Sequence, residues 1–286
     1  MQMRQIADFP VSAIGLGAMP MSIEGRPGTD QAMTTILAAL DAGVRHIDTA
    51  CSYHLKAGEV GHNERLIAAA LKQWKGDSST VLVATKGGHL RPGDGSWTQN
   101  GDPAYLKSAA KQSAKDLGVD AIGLYYYHRP DPNVSYADSI GALVELLDEG
   151  VIVRAGISNA SVDQIRQANE LLGGRLAAVQ NQYAPDHRST QDTLEECAKQ
   201  GIAFLPYSPL GGIARAKELG SRFAAYASVA DARGVSPQQV ALAWELAQGP
   251  HVIPIPGASR PESILDSVKA ADLVLTADEL ATLDRS

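Results

Sequence analysis

The sequence predicts an α/β protein that folds as a single-domain (β/α)8 TIM barrel over residues 1–286. Two observations lead to this prediction. Short apolar or β-branched segments recur eight times along the chain, and amphipathic helical segments lie between them. Near-continuous apolar runs are typical of parallel strands buried on both faces, and the alternating order implies right-handed parallel crossovers. Eight such units favour a closed barrel over an open doubly wound sheet.

The predicted strands are short, and the first has the weakest pattern. They lie at 13–16, 45–48, 80–85, 121–127, 152–157, 177–180, 202–206 and 252–255. Each consists of apolar or β-branched residues, and most are followed by polar residues. We expect residues 1–9 to form a short hairpin that caps the bottom of the barrel.

The predicted helices repeat apolar residues at spacings of three and four. They lie at 31–42, 63–74, 103–117, 136–148, 161–172, 190–199 and 236–247. Ser161 with Gln164 has the pattern of a capping box, and Ser236 precedes a proline at the first helical position. Three segments rich in glycine, two of them also in proline, are expected to be loops at the catalytic face: 22–29, 88–102 and 209–220.

Composition limits the partners and the compartment. The formal net charge of −7 disfavours nucleic acid as a partner, because a polyphosphate is repelled. The two cysteines, Cys51 and Cys197, do not make a disulfide framework, which predicts a reducing compartment. No apolar stretch reaches the roughly 18 residues of a membrane span. We therefore expect a cytoplasmic protein with a small-molecule substrate, and a monomer as the default for this fold.

Polar residues end each predicted strand from the second to the eighth. In a barrel of this kind, reacting groups lie at the carboxyl ends of the strands and in the loops that follow. The polar stretches are 48–54, 85–87, 127–129, 158–159, 180–183, 207–211 and 254–260. A barrel with a purely structural role needs fewer polar groups at the carboxyl ends of its strands, so this pattern predicts an enzyme.

The motifs in these stretches resemble the aldo-keto reductase superfamily, in a branch found in bacteria. In family order they are Gly15-Leu16-Gly17, Asp48-Thr49-Ala50 with Tyr53, Asn63-Glu64, Thr85-Lys86, His128, Gly156-Ile157-Ser158-Asn159, Gln180-Asn181-Gln182-Tyr183, Tyr207-Ser208-Pro209-Leu210-Gly211 and Ile255-Pro256-Gly257-Ala258. Each motif alone is weak evidence. The ordered set, which spans about residues 12 to 284, is a specific signal.

This resemblance implies four catalytic residues, namely Asp48, Tyr53, Lys86 and His128. A carbonyl that accepts hydride needs a proton, and a tyrosine can supply it as general acid. A buried ammonium at Lys86 is expected to stabilise the tyrosinate and lower the pKa of Tyr53. Asp48 is expected to pair with Lys86, and a neutral His128 to orient the carbonyl oxygen.

The resemblance also implies nicotinamide binding without a Rossmann fold. The implied cofactor residues are Ser158, Asn159, Gln180, Tyr207, Ser208, Pro209, Leu210, Gly211, Ile255, Gly257, Ser259 and Arg260. The first three are expected to bind the carboxamide, the tyrosine to stack on the ring, and 208–211 to approach the pyrophosphate, where glycine admits close backbone N–H groups.

The site for the cofactor's 2′-phosphate departs from the best-known family pattern. Many members have Lys-Ser after the last-strand proline, whereas this chain has Gly257-Ala258-Ser259-Arg260. Arg260 beside Ser259 is the remaining candidate for the phosphate, because a guanidinium fork suits that geometry. The sequence therefore predicts NADP as cofactor, with NADPH preferred over NADH.

The substrate pocket is expected to be lined by loop residues. The candidates are Met19, Met21, His54, His89, Trp97 and Arg129, a mixed apolar set that suits a small or aromatic carbonyl. Packing in the core explains the two methionines equally well. The sequence does not identify the physiological carbonyl.

Other classes of protein fit less well. The best glycine motif lacks the third glycine of a Rossmann fingerprint, and neither a zinc-binding His-Glu-x-x-His nor a Gly-x-Ser-x-Gly hydrolase motif occurs, so we expect no metal. The alternative we retain is a regulatory or redox-sensing subunit that binds NADPH with little turnover, since the superfamily includes channel-associated members.

Overall fold

Seven parallel strands form the curved sheet of the computed structural model, which describes residues 1–286. With two antiparallel hairpins, the chain has eleven strands in all: β1 Met3–Ile6, β2 Phe9–Ser12, β3 Leu16–Gly17, β4 His46–Asp48, β5 Leu82–Gly87, β6 His89–Leu90, β7 Thr98–Gln99, β8 Leu124–Tyr127, β9 Ala155–Ser158, β10 Leu176–Gln180 and β11 Ala203–Phe204. The order within the large sheet is β3-β4-β5-β8-β9-β10-β11.

Eleven α-helices accompany these strands. They are α1 Thr29–Asp41, α2 His62–Gln73, α3 Pro103–Leu117, α4 Tyr136–Asp148, α5 Val162–Leu171, α6 Gln191–Gln200, α7 Leu219–Arg222, α8 Ala224–Arg233, α9 Pro237–Ala247, α10 Pro261–Ser267 and α11 Ala277–Asp284. The expected cap at Ser161 is present, because its hydroxyl accepts from the backbone N–H of Gln164 in a capping box. No helix is long and apolar enough to cross a membrane.

The segment 252–257 closes the sheet into a ring. The backbone N–H of Ile253 donates to the carbonyl of Phe204 at 2.9 Å, and that of Gly15 donates to the carbonyl of Pro254 at 2.9 Å. The last segment thus pairs with both β11 and the strand region that ends in β3. Pro254 and Pro256 have no N–H to donate, so at these two positions the segment only accepts hydrogen bonds, from Gly15 and Gly17. This predicted strand therefore forms no regular ladder. The (β/α)8 barrel prediction is confirmed.

The N-terminal hairpin closes the amino end of the barrel. β1 pairs antiparallel with β2, and Ile6 and Val11 are fully buried in the core cluster of the barrel interior. Arg4 extends under the start of the last segment, where its guanidinium donates to the carbonyls of Gly249 at 2.5 Å and Leu246 at 2.8 Å. The hairpin expected within residues 1–9 is therefore present and runs on to Ser12.

Two apolar layers stabilise the barrel. Inside the ring, side chains from alternate strand positions form one cluster: Leu82, Ala84, Leu124, Tyr126, Ala178, Ala203, Leu205, Ile253 and Ile255. Outside it, the apolar faces of the helices pack on the sheet in two larger clusters. The filled interior leaves room for a ligand only at the carboxyl ends of the strands.

The loops differ from expectation in two places. Residues 209–220 were predicted to be a loop, and the end of this stretch begins α7, which is followed by α8. Residues 88–102 contain a small hairpin in which β6 pairs antiparallel with β7. Both segments border the catalytic face and help to wall it.

Candidate active site

A cavity of about 640 Å³ lies at the carboxyl ends of the strands. Most of the residues predicted for the site from the sequence line it: Met19, Asp48, Tyr53, His89, Trp97, His128, Arg129, Ser158, Asn159, Gln180, Tyr207, Ser208, Pro209, Leu210, Ile255 and Gly257. Parallel strands converge at this face, so residues far apart in the chain become neighbours.

Strand register places the polar groups side by side. Asp48 is the last residue of β4 and pairs in register with Ala84 of β5. Two residues further along β5 is Lys86, which pairs with Tyr126 of β8. His128 follows the end of β8 directly, and its backbone N–H donates to the carbonyl of Gly87 at 2.8 Å.

The ammonium of Lys86 is fully buried and makes three hydrogen bonds. Its Nζ donates to Asp48 Oδ1 at 2.6 Å, to the Thr49 carbonyl at 2.7 Å and to the Tyr53 hydroxyl at 3.2 Å. A buried charge is tolerated only when it is paired and hydrogen-bonded. Lys86 itself lies behind the cavity wall, and Tyr53 presents its side chain to the cavity.

Gln180 is the second side chain that holds Asp48 in place. Its amide Nε2 donates to Asp48 Oδ2 at 2.7 Å, while Lys86 occupies the other carboxylate oxygen. Both oxygens of this almost completely buried carboxylate therefore accept hydrogen bonds. The ion pair is held from two sides and has little freedom to rearrange.

The pKa values follow from burial and from these charges. Burial raises the pKa of Tyr53, and the opposing charge of Lys86 lowers it without reversing the shift. Lys86 therefore lowers the pKa of Tyr53 as expected, but desolvation outweighs this effect in the free protein. Burial lowers the pKa of Lys86, but the charges of Asp48 and Tyr53 outweigh it and the net pKa is raised.

The side chain of His128 also faces this cavity, and its imidazole is neutral. Burial, followed by the charge of Lys86, holds its pKa well below the usual value. Its ring lies edge-on to Tyr53, with 6.0 Å between the ring centroids, and to His89, with 4.9 Å. Its Nδ1 has no hydrogen-bond partner in the protein. His89 in turn stacks on Trp97 at 4.8 Å.

The other wall of the cavity presents amide and hydroxyl groups. Asn159 has a positive φ of 57°, and its amide donates to the His128 carbonyl at 3.0 Å while accepting from the Tyr207 hydroxyl at 2.8 Å. Ser208 also has a positive φ, of 51°. Left-handed backbone at residues other than glycine is uncommon and concentrates at functional sites.

Several predicted residues lie elsewhere. Met21 belongs to the buried core between β3 and its helices, and His54 lines a separate cavity of about 210 Å³. Gly211 lies against Asp186, and it is Gly212 that borders the main cavity. Ser259 and Arg260 lie outside the cavity wall, with Arg260 exposed at the start of α10. Loop direction decides these placements, and strand-end patterns carry no information about it.

Other wall residues were not predicted from the sequence. Ile23, Glu24, Gln99, Ile213 and Ala216 line the cavity from the loops. Glu24 forms an ion pair with Arg91, a buried residue that also donates to the His54 carbonyl at 2.5 Å. This pair joins the loop after β3 to the loop after β5. Complementary charges on two Gly/Pro-rich loops were the available clue.

Comparison with known proteins identifies the family of the chain. Residues 13–286 match the model of the Aldo/keto reductase family. The chain belongs to this family. Members are oxidoreductases that reduce carbonyl groups with a nicotinamide cofactor, so the chain is an oxidoreductase of this kind.

Individual relatives support the assignment. The chain is 34% identical over 284 residues to an uncharacterized oxidoreductase of Schizosaccharomyces pombe, covering 98% of this chain and 88% of that protein. It is 30% identical over 285 residues to the pyridoxine 4-dehydrogenase of Escherichia coli, with 96% and 94% covered. The solved glycerol dehydrogenase of Gluconobacter oxydans superposes with a TM-score of 0.82 at 26% identity, over 99% of this chain and 94% of that one.

Proposed function

We propose that this aldo/keto reductase reversibly reduces small aldehydes and ketones with NADPH, and that Tyr53 is the proton donor. One observation carries the proposal. The Tyr53 hydroxyl lies on the cavity wall at 3.2 Å from the ammonium of Lys86, which Asp48 neutralises at 2.6 Å. A phenol next to a fixed, paired cation is an acid that can release its proton in a desolvated site.

The cavity residues suit a nicotinamide. A carboxamide needs both donors and acceptors, and Ser158, Asn159 and Gln180 offer them together on one wall. The aromatic face of Tyr207 and the positive-φ backbone at Ser208 border the same space. This set would hold the nicotinamide, which supplies the hydride when bound.

The proton path follows from the protein groups alone. Tyr53 donates its hydroxyl proton to the carbonyl oxygen of the substrate as that oxygen becomes negative. The charge of Lys86 stabilises the tyrosinate that remains, and Asp48 holds the lysine in place. Neutral His128 hydrogen-bonds the same oxygen and orients it. In the oxidation direction the tyrosinate takes the proton back.

NADPH oxidation with a panel of aldehydes and ketones tests this proposal. We expect Tyr53→Phe to lower kcat by about 10²- to 10⁴-fold, the contribution of a positioned general acid, with little change in the Kd of NADPH. Tyr136→Phe is the matched control, since that hydroxyl is buried, has no hydrogen-bond partner and lies outside the cavity wall. NADPH binding without oxidation across the panel would favour the regulatory alternative.

A further inference from the structure

The cavity carries a positive charge that no carboxylate of the chain neutralises. Arg129 is the one arginine or lysine among the residues that line it, and it follows His128 directly. Its Nη2 donates to Oδ1 of Asn159 at 3.1 Å, and this partner is a neutral amide. A guanidinium carries a positive charge and offers only hydrogen-bond donors.

The two carboxylates that line the cavity are already paired. Asp48 is paired with Lys86 at 2.6 Å, and Glu24 with Arg91. Neither carboxylate is therefore free to balance a further cation. Arg129, in contrast, takes part in no ion pair with any carboxylate of the chain.

The imidazoles of the cavity add no charge at neutral pH. Burial, and after it the charge of Arg129, lowers the pKa of His89 to about 4. Burial is also the first cause that holds the pKa of His128 well below its ordinary value. The net charge of the protein groups around the cavity is therefore the single positive charge of Arg129.

A hydrogen bond to Asn159 orients the guanidinium of Arg129. Asn159 binds it through Oδ1, which also accepts from the Tyr207 hydroxyl at 2.8 Å, while the amide Nδ2 is tied to the His128 carbonyl at 3.0 Å. The left-handed backbone of Asn159 holds that amide in a specific orientation. The remaining N–H groups of Arg129 are left to bind a ligand.

We propose that Arg129 selects carbonyl substrates that carry an oxyanion, a carboxylate or a phosphate, a short distance from the reacting carbonyl. The inference rests on the proposed function, in which Tyr53 and His128 hold the carbonyl oxygen. An oxyanion accepts two parallel hydrogen bonds from a guanidinium. A neutral carbonyl leaves the charge of Arg129 without a counterion in a partly desolvated wall, which costs binding free energy.

Two matched pairs of aldehydes test the inference. One pair is 4-carboxybenzaldehyde and methyl 4-formylbenzoate, and the other is succinic semialdehyde and its methyl ester. In at least one pair we expect the wild type to favour the anion in kcat/KM by at least about tenfold, or ~1.4 kcal/mol. Arg129→Met should bring that ratio to about one, and Arg129→Lys should keep part of it.

The ratio separates this role from others. Both aldehydes of a pair react with the same complex of enzyme and NADPH, so any change in cofactor affinity cancels. Raising the salt from about 0.05 to 0.5 M should lower the wild-type ratio, because salt screens a partly exposed ion pair. Methionine is the matched replacement, since it keeps an unbranched apolar stem of similar length without the charge.

The other outcomes overturn either the inference or the proposed function. A wild-type ratio near one for both pairs, with both aldehydes reduced, overturns the inference and leaves the proposed function standing. An equal loss on anion and ester in Arg129→Met also overturns it, and assigns Arg129 to holding Asn159 and Tyr207. No NADPH oxidation with any aldehyde overturns the proposed function itself.

Discussion

Arg260 is the residue that we predict distinguishes NADPH from NADH. Its guanidinium is exposed at the start of α10, where Nη2 donates to Ser263 Oγ at 3.5 Å, and no carboxylate pairs with it. It is therefore free to bind a 2′-phosphate, which NADPH has and NADH lacks. We expect Arg260→Ala to raise the Kd of NADPH by about tenfold or more, the worth of a charged hydrogen bond, and to leave that of NADH nearly unchanged.

Fluorescence titration with both nucleotides checks this prediction. The matched control is Lys269→Ala, which removes an exposed cation from the short helical segment that follows α10. If loss of either cation weakens NADPH equally, the effect is general electrostatics. If Arg260→Ala weakens NADPH and NADH to the same extent, Arg260 does not bind the phosphate.

A second residue, Glu64, links stability to pH. Its side chain is fully buried, and burial raises its pKa from 4.5 to about 7 against the hydrogen bond from Thr85 Oγ at 2.6 Å. Between these two values the folded protein keeps a proton that the unfolded chain has lost. The contribution of Glu64 to stability is therefore present below the unfolded pKa and is lost as pH rises through this window, by roughly 3 kcal/mol.

Glu64→Gln removes this titration while keeping an oxygen for Thr85. We expect the unfolding free energy of the variant, relative to wild type, to rise by roughly 2–3 kcal/mol between about pH 4.5 and 7.5. Urea denaturation at both pH values measures it. All other titrating groups are common to the two proteins and cancel in the comparison, so parallel pH profiles would show that Glu64 is charged in the folded state.

Among the elements, α9 carries a buried acid without a partner. Glu245 is fully buried, neither carboxylate oxygen has a hydrogen-bond partner in the protein, and burial raises its pKa well above the usual value. A buried polar group without a bond costs about 1–3 kcal/mol. We expect Glu245→Leu, which is similar in volume, to stabilise the protein by about that amount.

Thermal unfolding at neutral pH measures the effect. The control is Glu195→Leu on α6, where the side chain is exposed and the change should stay within about 0.5 kcal/mol. A destabilised Glu245→Leu variant would mean that the carboxyl group of Glu245 makes a stabilising hydrogen bond with a group outside the chain.

The elements that the sequence predicts are those with strong local patterns. α5 begins where its capping box predicts, directly after the N-cap Ser161, and α9 begins at the proline after Ser236. α8 was not predicted, because its alanine-rich sequence has no clear apolar stripe and buries only Tyr226, Val229 and Ala230. α11 was also missed, although Thr276 with Glu279 forms a capping box that announces it.

Within the site, patterns at strand ends predicted which residues share one mouth, because strand direction fixes where they lie. They did not predict which way loop residues face. Met19 and Met21 lie at opposite ends of one 3-10 turn, so the first lines the cavity and the second is buried in the core. The sequence also could not predict the direction in which the pKa of Tyr53 shifts. That direction depends on whether the effect of burial outweighs the effect of the Lys86 charge at 3.2 Å.

At the scale of the whole molecule, the contact that closes the ring of strands also forms part of the cavity wall. The first and last barrel segments meet where Gly17 donates its N–H to the Pro256 carbonyl at 3.0 Å, and Gly17 and Gly257 both line the cavity. The backbones approach so closely that a Cβ on Gly17 would lie 2.8 Å from the Ile255 carbonyl oxygen. A glycine is therefore required here for space, at the seam that completes both the barrel and the cavity wall.

Gly17→Ala should separate the two segments at this seam. We expect a loss of about 1–3 kcal/mol, as for other overpacked sites, and a fall in Tm of several degrees, together with lower carbonyl reduction because the seam borders the cavity. Gly141→Ala is the control: a Cβ there meets nothing within 4 Å, and inside α4 alanine should stabilise by about 1 kcal/mol. If both variants are as stable as wild type or more so, the seam has enough slack to admit a methyl group, and its closeness is not what holds the ring shut.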